Sequence, residues 1–276
     1  MSKTTKIFAI VTLCAVLLTA AVLAGYFGFI AANPLNAPDL SEGGVRYIAH
    51  RGLSSEHYEN TEAAFRAAAE SSFFFGIETD IYRTADGKYV CAHDNAAFAD
   101  GNLKISELTL EECLALPLAF SDEYGMSGED ERLCTFETYL SVCRDGGKTA
   151  VIEFKPDFTK EETAEILDTA HSYLPTERIL VISFSASNIR ILSDMADGIG
   201  FMYLGTNRVS AEFFARRGCP VGLNADKANK SFAKKIRNLG VSLNVWNVKS
   251  KEQADKLASF GANFLTTDFD FSAQRG

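Results

Sequence analysis

Between Tyr47 and Asp94 the chain concentrates groups able to do acid–base and metal chemistry: His50-Arg51-Gly52, Glu59-Asn60-Thr61, Glu78-Thr79-Asp80 and His93-Asp94. Val45 to Ala49 reads as a short apolar strand. A strand running into His50-Arg51-Gly52 sets a titratable ring, a fixed cation and a flexible turn at its carboxyl end. Gly76 to Tyr82 reads as a second strand. Strand side chains alternate, so Glu78 and Asp80 share one face and Ile77, Thr79 and Ile81 the other. Two carboxylates on one inward face are costly without a positive partner. A divalent cation that prefers oxygen ligands, Mg²⁺ or Ca²⁺, is the simplest such partner.

In this order and spacing, His50-Arg51-Gly52, Glu59-Asn60-Thr61, Ile77-Glu78-Thr79-Asp80, Thr84-Ala85-Asp86-Gly87 and His93-Asp94, followed by Glu153-Phe154-Lys155, resemble the glycerophosphodiester phosphodiesterase family. The resemblance runs from Val45 to Phe269, and its specificity lies in the ordered combination. It implies hydrolysis of glycerophosphodiesters to glycerol 3-phosphate and an alcohol. It further implies His50 and His93 as catalytic acid and base, Arg51 and Lys155 on the phosphate, and Glu78, Asp80 and Glu153 around a divalent cation. Glu153 and Lys155 alone would read as a salt bridge; beside the first two strands they join the site. Trp246 stands in Trp246-Asn247-Val248 where the family usually shows Trp-Thr-Val, and it either lines the pocket or caps the barrel. Asp268 matches a family position whose role the sequence leaves open. Glu59 reads first as part of a helix cap and loop anchor, and second as a neighbour of the cation.

The elements that must position these groups follow from periodicity. Asn60 or Thr61 caps a helix that Ala63 to Ala69 propagates. Asp86-Gly87 turns the chain, and Tyr89 to Ala92 returns as an extended segment that carries His93 back toward the mouth of the fold. Ser106 to Leu116 reads as helical within a polar interval, Asn95 to Glu137, whose acidic run Glu129-Asp130-Glu131 reads as a solvated loop. From Cys134 onward helix and strand alternate, with strands at Thr149–Phe154, Ile179–Phe184, Ile199–Tyr203, Val221–Asn224, Ser242–Trp246 and Asn263–Thr266. With the first two strands this makes the alternation of a closed α/β fold, a single (β/α)₈ TIM barrel. Barrel enzymes place their chemistry at the carboxyl ends of strands, where His50, Glu78, Asp80, Glu153 and Lys155 all fall. No Gly-x-Gly-x-x-Gly follows the first strand, which disfavours a dinucleotide-binding sheet.

An apolar run from Ile7 to Ala32, preceded by Lys3 and Lys6, exceeds the roughly 20 residues a membrane helix needs and the short core of a cleaved signal. It predicts residues 1–6 as a short cytoplasmic tail, 7–32 as a transmembrane signal anchor, 33–44 as a linker and 45–276 as an extracytoplasmic barrel at the cell membrane. The alternative is secretion after cleavage near Ala31-Ala32. The formal charge of −9 argues against nucleic acid as a partner, while leaving a phosphate substrate open. Cys91, Cys113, Cys134, Cys143 and Cys219 form no metal-ligand pattern and read as buried small hydrophobes, with disulfides possible in an exported domain.

A phosphodiester resists attack because its anionic oxygens repel nucleophiles. Catalysis needs charge neutralisation, a base for the attacking hydroxyl and an acid for the leaving alkoxide. The candidate residues supply each part; which histidine is base and which is acid stays open. The alternatives are a phospholipase D-type phosphodiesterase acting on lysophospholipids and a membrane-tethered, inactive glycerophosphodiester-binding domain.

Overall fold

The computed structural model describes residues 3–40, 43–121, 124–195 and 198–272. It divides into two units, Met1–Leu35 and Asn36–Gly276. The first is a single helix, α1 (Lys3–Ala32). Within it Cys14–Ala32 has mean hydropathy 2.1 and is long and apolar enough to cross a membrane. Large apolar side chains including Phe8, Leu18 and Phe27 are exposed along it. Water strongly disfavours such an apolar surface, whereas lipid accepts it.

The second unit is a closed barrel. Among the described residues its strands are β1 (Arg46–Ala49), β2 (Phe74–Arg83), β3 (Tyr89–Cys91), β4 (Cys134–Thr135), β5 (Thr149–Phe154), β6 (Ile179–Ser183), β7 (Gly200–Gly205), β8 (Val221–Asn224), β9 (Leu243–Val248) and β10 (Phe264–Thr267). Eight of them pair in parallel in the order β1-β2-β5-β6-β7-β8-β9-β10, and β10 pairs back onto β1. The helices are α2 (Glu62–Glu70), α3 (Leu110–Ala115), α4 (Phe136–Asp145), α5 (Lys160–Tyr173), α6 (Ala186–Met195), α7 (Arg208–Ala215), α8 (Lys230–Asn238) and α9 (Lys251–Phe260). All eight expected barrel strands are present, and Gly87, at φ +78°, makes the expected turn between β2 and an antiparallel β3.

Two local differences have plain causes. The stretch expected to be helical from Ser106 to Leu116 breaks in two: a 3₁₀ turn at Ile105–Glu107, then α3. Thr109 is extended and caps α3 reciprocally with Glu112, so its own side chain starts a new helix. Strand β4 was not expected, because two residues carry no readable period.

Ile48, Val151, Leu180, Ile182, Met202, Leu204 and Phe264 fill the barrel interior. Outside it, α2 and α4 pack on the strands through Phe65 and Tyr139, whose rings meet edge to face at 5.0 Å. The Tyr139 hydroxyl donates to the Ile77 carbonyl at 2.7 Å, tying α4 to the strand that carries Glu78 and Asp80. Because Phe65 is wholly buried, Phe65→Ala is expected to lower unfolding free energy by about 3–5 kcal/mol in a denaturant titration.

Candidate active site

His50 follows β1, and its backbone N–H donates to the Thr267 carbonyl of β10 at 2.9 Å. The chain then turns through two left-handed residues, Arg51 at φ +56° and Gly52 at φ +83°. A Cβ at position 52 would lie 2.6 Å from the Ala64 backbone, so only glycine lets this turn sit against α2. Arg51 has no such freedom. Its unfavourable conformation is held by its own amide, which donates to Glu78 Oε2 at 2.8 Å.

The His50 ring is anchored by Asp268, with Nδ1 2.7 Å from Oδ1. Ser54 Oγ donates to the same oxygen at 3.0 Å, and the Tyr124 hydroxyl to Oδ2 at 2.6 Å. Burial alone would push the Asp268 carboxyl up; the bond and charge of His50, with the Tyr124 and Ser54 bonds, outweigh it and hold the group down at about 2. Burial and the Arg51 cation push the His50 imidazole down, but the Asp268 bond and the Glu78 and Asp268 charges prevail, and it titrates above its ordinary value. With Nδ1 committed to Asp268, Nε2 is the nitrogen left for proton transfer. Asp268→Asn removes the anion that favours imidazolium. The His50 titration followed by NMR is therefore expected to move to lower pH, and a titration that stays in place would remove Asp268 as its cause.

Glu78 and Asp80 share the inner face of β2, and Glu153 lies beside them on β5, where Asp80 and Glu153 are register partners. One oxygen from each of the three carboxylates lies within 4.8 Å of the others. Asp80 is the best partnered. Asn60 Nδ2 donates to Oδ2 at 3.0 Å, Arg51 Nε stands 3.3 Å from the same oxygen, and Lys155 Nζ is 3.3 Å from Oδ1. Burial opposes its ionisation, but Arg51, Lys155 and His93 together with the Asn60 bond keep its titration below the usual range. Glu78 and Glu153 differ. Burial and then the Asp80 anion raise Glu78 to about 8 and Glu153 to about 7, against the pull of His50 and Arg51 on the first and Lys155 and Arg51 on the second. Glu78 Oε1 is buried and has no hydrogen-bond partner among the described residues. An all-oxygen donor set with one lone, buried carboxylate oxygen fits a hard divalent cation.

The cations beside this cluster are already engaged. Lys155 Nζ lies 3.0 Å from Glu153 Oε1, so the salt bridge the two residues suggested by themselves is made, together with the bridge to Asp80. Arg51 Nη1 bonds Glu59 Oε2 at 2.8 Å. Glu59 thus steadies Arg51. Thr61, not Asn60, caps α2 through the Ala64 amide. Asn60, left-handed at φ +57°, instead accepts from Thr79 Oγ1 at 2.8 Å and donates to Asp80, fixing β2 from the loop.

His93 follows β3, with Nδ1 3.0 Å from Asp94 Oδ2 and its side chain 35% exposed. It lines a cavity of ≈ 320 Å³ with His50, Arg51, Glu78, Glu153 and Lys155. Trp246 and Phe184 form an aromatic wall of the same cavity, rings edge to face at 5.7 Å. A second cavity of ≈ 240 Å³ shares Arg51 and His93 with the first and is bounded by Tyr58, Phe120 and Ser121. The residues singled out from sequence therefore converge on one place. Sequence reasoning missed the link between Asp268 and His50, the role of Asn60 and the contribution of Tyr124. Asp268 carried a signal, its matching position after the last strand, whereas Tyr124 carried none.

Comparison with known proteins bears on this arrangement. The model of the glycerophosphoryl diester phosphodiesterase family matches residues 50–270. A glycerophosphodiester phosphodiesterase of Caldanaerobacter subterraneus is 28% identical over 229 residues, 80% of this chain and 93% of that protein. Glycerophosphodiester phosphodiesterase 1 of Mus musculus is 35% identical over 113 residues, 40% of this chain and 34% of its own. Among solved structures, an Oleispira antarctica phosphodiesterase in complex with the product sn-glycerol-3-phosphate superimposes with a TM-score of 0.73 at 23% identity, covering 83% of this chain and 95% of that one.

Proposed function

We propose that this chain, which belongs to the glycerophosphoryl diester phosphodiesterase family, hydrolyses glycerophosphodiesters to glycerol 3-phosphate and an alcohol by proton transfer between His50 and His93, with a divalent cation, Mg²⁺ or Ca²⁺, held by Glu78, Asp80 and Glu153. The observation that carries this reading is one cavity lined by His50, Arg51, Glu78, His93, Glu153 and Lys155, beside a buried carboxylate cluster. A hydrolase of this family whose relatives include an enzyme solved with sn-glycerol-3-phosphate is expected to release the same product.

When bound, the cation would neutralise phosphoryl charge and lower the pKa of a coordinated oxygen. The chain's own residues do the rest. Arg51 presents a guanidinium suited to paired phosphate oxygens, held in place by Glu59 and Asp80. Lys155 adds a fixed ammonium from its seat between Asp80 and Glu153. His50, oriented by Asp268, exchanges a proton at Nε2, and His93 exchanges the second, so that one histidine relieves the attacking hydroxyl and the other supplies the leaving alkoxide. The attacking hydroxyl is water or the substrate's own glycerol hydroxyl. Trp246 and Phe184 offer apolar surface to the bound organic group.

We assign residues 1–6 to a short tail, 7–32 to a signal anchor and 33–44 to a linker, with the barrel of 45–276 on the outer side of the membrane. The apolar surface of α1 supports the anchor.

The test is glycerol 3-phosphate release from glycerophosphocholine, glycerophosphoethanolamine and glycerophosphoglycerol, and lysophosphatidic acid release from lysophospholipid micelles, with Mg²⁺, with Ca²⁺ and with EDTA. Release from the soluble diesters that EDTA abolishes supports the proposal. Activity on micelles alone would replace it with the phospholipase D-type reading, and no turnover by folded protein would leave a binding domain.

The carboxylates add a pH signature. Glu78 and Glu153 keep protons up to about 8 and about 7 without a cation, so binding must displace them and tightens as pH rises. Their raised values stabilise the cation-free fold below the ordinary carboxylate range, and that contribution is lost as pH climbs through about 7 to 8. The Tm gain on adding Mg²⁺ or Ca²⁺ is therefore expected to be larger at about pH 8.5 than at about pH 6.

A further inference from the structure

We propose that Cys91 and Cys134 form a disulfide across the β3–β4 pair when the domain folds in the presence of a disulfide oxidant, independently of the phosphodiesterase reading. Both thiols are free and buried in this structure. Strands β3 and β4 are antiparallel, and their register sets Cys91 directly opposite Cys134. Opposed residues in such a pair hold their Cβ atoms about 4.5–5.5 Å apart, so a small closure reaches the roughly 3.5–4.5 Å that a disulfide spans. Both sulfurs already approach one carbonyl oxygen, that of Thr135, at 3.8 Å from Cys91 and 3.5 Å from Cys134.

The other cysteines of the barrel are placed less well. Cys113 sits in α3 against the Ile105 carbonyl, and Cys219 lies beside Pro220 ahead of β8. Cys143 is the nearest rival, on α4 and within electrostatic reach of Cys91, but no strand register points it at either partner.

Burial pushes the Cys91 thiol well above its ordinary value, so the folded protein offers little thiolate. The bond therefore forms as β3 and β4 come together. One thiolate attacks the oxidant RS–SR and expels one RS⁻; the second thiolate attacks the mixed disulfide and expels the other. Two thiols lose two protons and two electrons, and the oxidant leaves as two RSH. The closed loop spans residues 92–133, which carry His93 at one end and the Leu118 to Ser121 wall of the second cavity. Oxidation would pin this segment to the barrel at its base.

The experiment refolds the full chain in detergent with glutathione and glutathione disulfide, alkylates free thiols and maps peptides without reduction. The expected result is one cross-linked peptide joining Cys91 to Cys134. In the chain-entropy account a loop of this length should raise Tm by on the order of 5–10 °C over an aliquot refolded with reductant. The rise should persist in Cys143→Ser and vanish in Cys134→Ala. Full alkylation of Cys91 and Cys134 after unfolding a cooperatively melting, oxidant-treated sample would overturn the proposal, as would a cross-link between Cys134 and Cys143. The wild-type peptide map needs no variant to fold.

Discussion

His50→Ala is expected to lower kcat for glycerophosphodiester hydrolysis by about 10²- to 10⁴-fold while leaving the cation-induced rise in Tm intact. The argument is geometric. Nδ1 is occupied by Asp268 at 2.7 Å, which fixes the ring plane and leaves Nε2 for the reacting proton. His50 lines the cavity that also holds His93, Arg51 and Lys155. A methyl group in its place removes the proton-transfer group but leaves all three carboxylates of the cluster. The loss should therefore appear in kcat more than in KM, since proton transfer belongs to the transition state and not to ground-state binding. The same split is expected for His93→Ala. Activity within about threefold of wild type, from a protein with an unchanged melt, would remove His50 from the mechanism.

Glu78→Gln separates function from stability. Activity is expected to fall by about 10³-fold or more, because the loss of a ligand forfeits several kcal/mol of charge stabilisation by the cation. At about pH 8.5, however, the cation-free variant is expected to melt at the same temperature as wild type or higher. Glu78 is almost wholly buried, and its Oε1 meets no partner among the described residues, so the fold bears an incompletely compensated anion once the group ionises above about 8. A neutral amide of the same shape still accepts the Arg51 amide bond and removes that anion. The Tm gain from Mg²⁺ or Ca²⁺ should disappear with it. If the Glu78→Gln protein kept both the gain and full activity, the cluster would not be a cation site.

The sequence carried more of the barrel than of its wiring. Glu78, Asp80, Glu153 and Lys155 were legible because a period of two fixes which strand side chains share a face, and the ends of apolar runs mark where strands stop. The single alternation from β5 to β10 made the fold class legible for the same reason. A two-residue strand such as β4 has no period to read, and the split of the expected helix at Thr109 depended on one hydroxyl finding the amide of Glu112.

Local residue types and spacing thus determined by themselves the family, the eight barrel strands and the residues placed at their carboxyl ends. Closure of the barrel decided the rest. The pairing of β1 with β10 brings Asp268 to His50 across 218 positions of sequence. A loop then sends Tyr124 to the same carboxylate, and a left-handed Asn60 reaches Asp80. Only closure also shows that Glu78 Oε1 is the carboxylate oxygen of the cluster left without a hydrogen-bond partner among the described residues. Spacing along a chain fixes which face a side chain takes; which distant side chain it meets depends on how the strands are wound, and that information resides in the packed whole.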